Sequence, residues 1–242
     1  EFLDVPLQEA GAASPEAFLS IAKALDKVYQ ERLENMGDVQ DGRQMSCTTH
    51  LCVIDSKGGM VTLTQTLLGI FGSKLVLPQT GILMNNGLMW FNPEPGHPNS
   101  IAPDKRCLAN TCPALALRES GGFALGASGG RKIMPAVLQL IHFLIDGRMS
   151  LEDAFHQPRI DHSGGEHVVL DRLLEPDVRS YISGRFPVLE AEHTSFPLYF
   201  ACPSAVMQDG NENYGATAIT HAWAEAVVEP GESTDSAAAN SA

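Results

Sequence analysis

The stretch MSCTTHLCVID, Met45 to Asp55, sets Ser46, Cys47, Thr48 and Thr49 in front of a histidine and an alternating run. One reading is a polar loop entering a β-strand, since Ser is common in turns and Thr in strands. The other is a cleavage point, where the new N-terminal residue supplies a nucleophile and its own α-amine the base. The flanks bear on the choice. Upstream, GDVQDGRQMSC is polar, glycine-bearing and without periodicity, as an exposed and cleavable linker is. Downstream, TTHLCVIDS, a Lys57-Gly58-Gly59 turn and MVTLTQTL read as a hairpin. The reactive candidates therefore head its first strand.

Working outward, Ser14-Pro15-Glu16 starts a helix over residues 14–36. Phe18, Ile21, Ala22, Leu25, Val28, Tyr29 and Leu33 recur along it at helical spacing until Gly37. WFNPEPGHPNSIAP is too rich in Pro and Asn for regular structure and reads as a long ordered loop or lid. PALALRES and FALGAS predict a second hairpin. GASGG then runs into RKIMPAVLQLIHFLIDG, a strand, a glycine turn and a helix with Pro135 in its first turn. Ser150 caps a short helix ending near Pro158, HVVLD is a strand, PDVRSYISGRF a helix, and the remainder alternates short strands. GESTDSAAANSA is a low-complexity, disordered tail. No internal repeat is visible.

The 242 residues are 44% hydrophobic, enough for a buried core in one large domain or two small ones. A net charge of -13 and a pI near 4.9 exclude nucleic acid and anionic membrane as partners, because binding phosphates needs clustered Lys and Arg. Ala136 to Ile145 is interrupted by Gln139 and His142 and is too short to span a bilayer, so the chain reads as soluble. The five cysteines at 47, 52, 107, 112 and 202 have no zinc spacing. Cys107 and Cys112 can bridge or stay as free thiols. His156, His162 and His167 form no metal motif and are expected in surface or hydrogen-bonded roles. Neither a metal nor a cofactor is expected. The chain starts at Glu1 without a signal peptide, so the translational start is expected upstream. The compartment is left open, with the cytoplasm preferred over the periplasm.

Amide cleavage needs a nucleophile, a base and donors for the oxyanion. A threonine exposed by cleavage supplies the first two. The backbone N–H groups of Gly129 and Gly130, at a helix start, supply the third, although a glycine pair is also a common tight turn. Taken in order, TTHLCVID, TQTL, TGILMNN, PNS followed by KRCLANTCP, GASGGRKI, QPRI and YGAT resemble the γ-glutamyltranspeptidase family of N-terminal-nucleophile hydrolases. They run through most of Thr48 to Thr217, and ALDKVYQERLENMGD looks like the close of that family's large subunit. The resemblance implies self-cleavage between Cys47 and Thr48. It assigns Thr48 as nucleophile, Thr66 as the hydroxyl that orients it, and Gly129 and Gly130 as the oxyanion pair. It implies an αββα four-layer sandwich of α/β class, of which this chain holds the C-terminal part. Residues 1–47 are the large-subunit tail and linker, 48–227 the small subunit, and 228–242 the tail.

Members acting on γ-glutamyl groups carry Asn, Gln, Asp and a Ser-Ser pair where this chain has Leu68, Gly87, Trp90, Ala109 and Asn110. The carboxylate that meets a glutamyl ammonium has become an indole, so the reaction is kept and the glutamyl pocket is not. Trp90 either packs in the core or lines the pocket. Arg131 opposes the dipole of the helix it opens, which points either to a substrate carboxylate held with Asn110 or to a surface arginine or internal salt bridge. Asn86, in the Asn-Asn pair, joins Trp90, Asn110 and Arg131 as a substrate-binding candidate. The expected reaction is hydrolysis of an amide whose small acyl group bears a carboxylate, of oxamate or glutaryl type. A true γ-glutamyl hydrolase or transferase is the alternative, and a silent structural homologue the rival of another class. The expected partners are the small-molecule amide and the large subunit of the same precursor, with room for a higher oligomer.

Overall fold

The computed structural model describes residues 11–36, 47–194, 198–218 and 224–227. Most of the linker (37–46) and the expected disordered tail (228–242) lie outside the described residues.

Ser14 accepts from the Ala17 N–H at 3.1 Å and Pro15 opens helix α1 (Pro15–Met36). Its apolar stripe is buried as the spacing predicts: Phe18, Ile21, Ala22, Leu25 and Tyr29 are all at most 4% exposed. The stripe meets helix α2 (Ile133–Ile145), where Phe18 and Phe143 pack edge to face at 6.2 Å. Their shared core supplies most of the driving force here, since each buried large side chain contributes roughly 1.5–3 kcal/mol.

Strands β1 (Thr48–Ile54) and β2 (Met60–Thr66) form the predicted hairpin, with Thr48 opposite Thr66. Strands β3 (Ala114–Arg118) and β4 (Gly121–Ser128) form the second. They join β8 (Cys202–Asp209) and β9 (Glu212–Thr217) in an antiparallel sheet ordered β3-β4-β8-β9. The β1–β2 hairpin packs on β4 and β8, and α2 packs against the same strands. Two β layers and one helical layer are therefore in place.

Residues alternate along β1 and β2 in the reverse of the usual sense for a half-covered sheet. Thr48, His50, Cys52, Thr62, Thr64 and Thr66 take the half-buried positions, whereas Leu51, Val53, Val61 and Leu63 are 37–54% exposed. The inward polar groups bond one another: His50 Nδ1 lies 2.7 Å from Thr64 Oγ1, and Nε2 lies 3.1 Å from Cys52 Sγ. A Cβ at Gly126 would sit 2.2 Å from the His50 ring, so only glycine on β4 leaves room for it.

Ser150 caps helix α3 (Leu151–His156) by accepting from Asp153 N–H at 3.0 Å, as expected. Beyond it, β5 (Ile160–Asp161), β6 (Val168–Asp171) and β7 (Val188–Ala191) make a separate three-stranded sheet. Its β6–β7 pair is parallel, with helix α4 (Pro176–Ser183) as the crossover. All five cysteines are free thiols. Among the described residues no helix is long and apolar enough to cross a membrane, and no group of His, Cys, Asp or Glu could hold a metal ion.

Candidate active site

Antiparallel register brings Thr48 and Thr66 together at the open end of the hairpin, and the two hydroxyls are 3.1 Å apart. Thr66 Oγ1 is a hub. It donates to the Cys47 carbonyl at 3.1 Å and accepts the Leu68 N–H at 2.8 Å. With its proton directed at Cys47, Thr66 can only accept from Thr48, which turns the Thr48 O–H toward Thr66. The Cys47 carbonyl also accepts from Leu67 N–H at 3.0 Å, so the carbonyl of the Cys47–Thr48 peptide carries two donors.

Leu68, where the hairpin ends, has φ 67° and is 5% exposed. A bulky residue in left-handed conformation is strained by roughly 1–2 kcal/mol. Asn86 secures this turn: its Oδ1 accepts from Gly69 N–H at 2.9 Å and its own N–H donates to Leu67 O at 3.1 Å.

Gly129 (φ 138°) and Gly130 (φ 62°) turn the chain from β4 into α2 through a short 3-10 turn, Gly130–Lys132. A Cβ on Gly129 would lie 2.9 Å from Ala201 Cα, so glycine is needed there for packing as well as for φ. Gly130 faces the threonines. Thr48, Thr66, Leu68, Trp90, Asn110 and Gly130 line one small cavity of about 20 Å3, room for about one water. A larger open cleft of about 1160 Å3, between α3 and the ends of β3, β4 and β9, contains none of these residues.

Of the eight residues singled out from the sequence, five meet at this cavity. Gly129 adjoins Gly130 but does not line the cavity, packing against Ala201. Asn86 is committed to the backbone of the neighbouring turn. Arg131 does not border the cavity, and its carbonyl accepts from the Tyr29 hydroxyl.

The wall made by Trp90 and Asn110 belongs to the long loop, which is ordered by buried asparagines. Asn99, 5% exposed, donates from Nδ2 to the Trp90 carbonyl at 2.6 Å and accepts from Leu108 N–H at 3.0 Å. The Trp90 indole N–H is buried with no acceptor among the described residues. Asn110, 6% exposed, accepts at Oδ1 from Arg32 Nη2 at 2.8 Å. Arg32 and Asn99 were not foreseen as site residues. Arg32 carried a signal nonetheless, because it falls on the apolar stripe of α1 with Leu25 and Tyr29.

Two titratable groups lie on neighbouring elements, Asp161 near Lys132 and His50 against Gly126 of β4. Complete burial pushes the Asp161 carboxyl up to about 6, despite the nearby Lys132 and the hydrogen bond from Ser163. Burial lowers the His50 imidazole to about 4, so the ring is neutral at pH 7.

A γ-glutamyltranspeptidase family model matches residues 1–225. The chain belongs to the γ-glutamyltranspeptidase family. An acylase ACY 1 proenzyme of Pseudomonas sp. (strain SE83) is 38% identical over 168 residues, covering 64% of this chain and 30% of that protein. The glutathione hydrolase proenzyme of Bacillus subtilis (strain 168) is 31% identical over 159 residues, covering 64% of this chain and 27% of that one. This γ-glutamyltranspeptidase homologue thus spans less than a third of the length of these relatives. Its fold is that of a solved γ-glutamyltranspeptidase from Pseudomonas nitroreducens complexed with L-DON. That match has a TM-score of 0.61 at 23% identity and covers 75% of this chain and 100% of the solved one. The N-terminal-nucleophile hydrolase fold expected from the sequence is therefore the observed one.

Proposed function

We propose that the full-length protein is an autoprocessing threonine amidohydrolase that cuts itself between Cys47 and Thr48. The mature enzyme then hydrolyses the amide of a small acyl group bearing a carboxylate, of oxamate or glutaryl type. The observation that carries this reading is the Thr48–Thr66 hydroxyl pair with its hub bonds, facing Gly130 across the cavity.

In the uncut chain, Thr48 Oγ1 attacks the Cys47 carbonyl, whose developing charge is met by Thr66 O–H and Leu67 N–H. The N-to-O acyl shift moves the Cys47 acyl group onto Thr48 Oγ1 as an ester while the hydroxyl proton passes to the departing nitrogen, which becomes the free Thr48 amine. Water then hydrolyses the ester, giving the Cys47 carboxylate and restoring the Thr48 hydroxyl. In turnover the Thr48 hydroxyl attacks the substrate carbonyl and its own amine carries the proton to the leaving amine. Gly129 and Gly130 hold the oxyanion, and water resolves the acyl-enzyme.

Relatives named as proenzymes support the autoprocessing step. The partner is the large subunit of the same precursor, with α1 as its last helix. The exposed apolar outer face of the hairpin, Leu51, Val53, Val61 and Leu63, is the surface such an upstream layer covers. A second reading, γ-glutamyl or glutathione hydrolysis, is favoured by the 31% identity to a glutathione hydrolase. Against it stands the acyl wall, where an indole and an amide occupy positions that members acting on γ-glutamyl groups fill with a carboxylate and a hydroxyl.

Mass spectrometry of the purified full-length protein tests the first step. A small subunit beginning at Thr48 is expected, and one beginning at Ser46, Cys47 or Thr49 overturns it. Rates on glutaryl-p-nitroanilide and γ-glutamyl-p-nitroanilide separate the two substrate readings.

A further inference from the structure

Arg32 lies on α1, upstream of the cleavage point, yet it reaches the acyl wall on the other side of that point. Its side chain is buried, with the residue 8% exposed, and Nη2 donates to the Ala109 carbonyl at 3.0 Å and to Asn110 Oδ1 at 2.8 Å. Its Nε is buried without a partner, and among the described residues no carboxylate pairs with this guanidinium.

An asparagine amide has one acceptor end and one donor end. With Oδ1 held by a guanidinium, the end left to Asn110 for the cavity is Nδ2 and its two N–H groups. Trp90, on the same wall, has a buried indole N–H without an acceptor, and an indole only donates. Gly130 contributes backbone N–H. The Trp90 and Asn110 side chains thus offer donors backed by a buried positive charge, beside the Thr111 hydroxyl, which can donate or accept. A carboxylate finds partners for its lone pairs there, whereas an ammonium meets donors facing donors.

We propose that Arg32 is a positioning residue that sets acyl selectivity: by holding Asn110 Oδ1 it presents the amide N–H groups to the cavity, so the site takes acyl groups ending in a carboxylate and rejects those ending in an ammonium. The inference rests on the amidohydrolase reading above and sharpens its substrate class. It also makes selectivity a property shared by two subunits, since after cleavage Arg32 and Asn110 lie on different chains.

The test uses the full-length protein after self-cleavage, assayed on glutaryl-, γ-glutamyl- and uncharged pentanoyl-p-nitroanilide. Wild type favours glutaryl. Arg32→Met raises KM for glutaryl about tenfold or more with kcat little changed, and leaves pentanoyl hydrolysis within about threefold. Arg32→Lys, which can still donate to Asn110 Oδ1, recovers most of the loss. Asn110→Asp is isosteric and keeps its bond to Arg32 while turning an acceptor toward the cavity. It lowers the glutaryl to γ-glutamyl ratio by about a hundredfold, and it decides the matter if Arg32→Met folds poorly. A wild type that favours glutaryl, with ratios unmoved in Arg32→Met and Asn110→Asp, overturns the role of Arg32 alone. Equal losses on all three substrates with a lower Tm make Arg32 purely structural and overturn it too. A wild type that hydrolyses γ-glutamyl as well as glutaryl removes the substrate reading underneath and the inference with it.

Discussion

The two walls of the cavity are built differently. The nucleophile wall is made by strand register: Thr48 faces Thr66 because β1 and β2 pair one to one, and the remaining contacts are backbone groups of Cys47, Leu67 and Leu68. The acyl wall is made by side chains holding side chains. Asn99 secures the Trp90 segment and Arg32 secures Asn110. Register cannot drift without moving the whole hairpin, whereas one substitution at Arg32, Trp90 or Asn110 rewrites the acyl wall. On the proposed reading, this contrast lets substitutions reshape the acyl wall while the Thr48–Thr66 pair stays in place.

The contrast can be broken most directly at Thr48. Thr48→Ala is expected to leave an uncut precursor on a denaturing gel and to lower turnover by about 10^4-fold or more. Thr66→Ala comes next. It removes one donor to the Cys47 carbonyl and the acceptor of the Thr48 hydroxyl, so self-cleavage and kcat should both slow by about 10^2 to 10^3-fold. Loss of one without the other would mean that the two steps do not share a wall.

On the acyl wall, Asn99→Ala leaves the Trp90 carbonyl and the Leu108 N–H without their partner. It should lower stability by about 2–3 kcal/mol in urea unfolding and raise KM more than it changes kcat. Arg131→Ala, outside the cavity lining, should raise KM for the glutaryl substrate less than Arg32→Met does.

The last expected effect, bounded by the Asn99→Ala loss, is a pH dependence of stability set by Asp161 and His50. The Asp161 pKa lies above its unfolded value, so its ionisation opposes folding at neutral pH, and stability is regained as pH falls from about 6 toward 3.8. Asp161→Asn should therefore stabilise the protein at pH 7.5, by at most about 2–3 kcal/mol, and flatten that acid gain. His50 acts in the opposite sense. Its folded pKa lies below the unfolded one, so its contribution is lost as pH falls from 6.5 toward about 4. Urea midpoints at pH 7.5 and 5 for His50→Asn and Asp161→Asn separate the two.

The β1–β2 hairpin was legible in the sequence from local signals, whereas the partnership of Thr48 with Thr66 was reached through the family resemblance. Alternation over TTHLCVID and MVTLTQTL and the Lys57-Gly58-Gly59 turn fix the pairing, and the pairing fixes the Thr48–Thr66 contact. α1 was legible from its Ser-Pro start and stripe, and α2 from its periodicity. The polar inward face of the hairpin was not read, since alternation alone does not say which face packs. The two-residue β5 is too short to carry a pattern, and the parallel β6–β7 pairing is set by the α4 crossover rather than by local spacing. The Arg32–Asn110 bond joins residues 78 apart, and no periodicity reports such a distance.

The placement of α1 has a further consequence, one of molecularity. Before the cut, α1 is joined to β1 by chain, and it docks at the high effective concentration a short tether confers. The proposed cut would turn the same docking into an association between separate molecules, retained by the buried stripe, the Asp26–His162 pair at 3.0 Å, the Tyr29 hydroxyl on Arg131, and Arg32. The cut protein would then persist through slow dissociation instead of ready refolding, and its lifetime would be a rate. Once unfolded, dilute mature subunits should recover far less activity than uncut Thr48→Ala precursor recovers native structure.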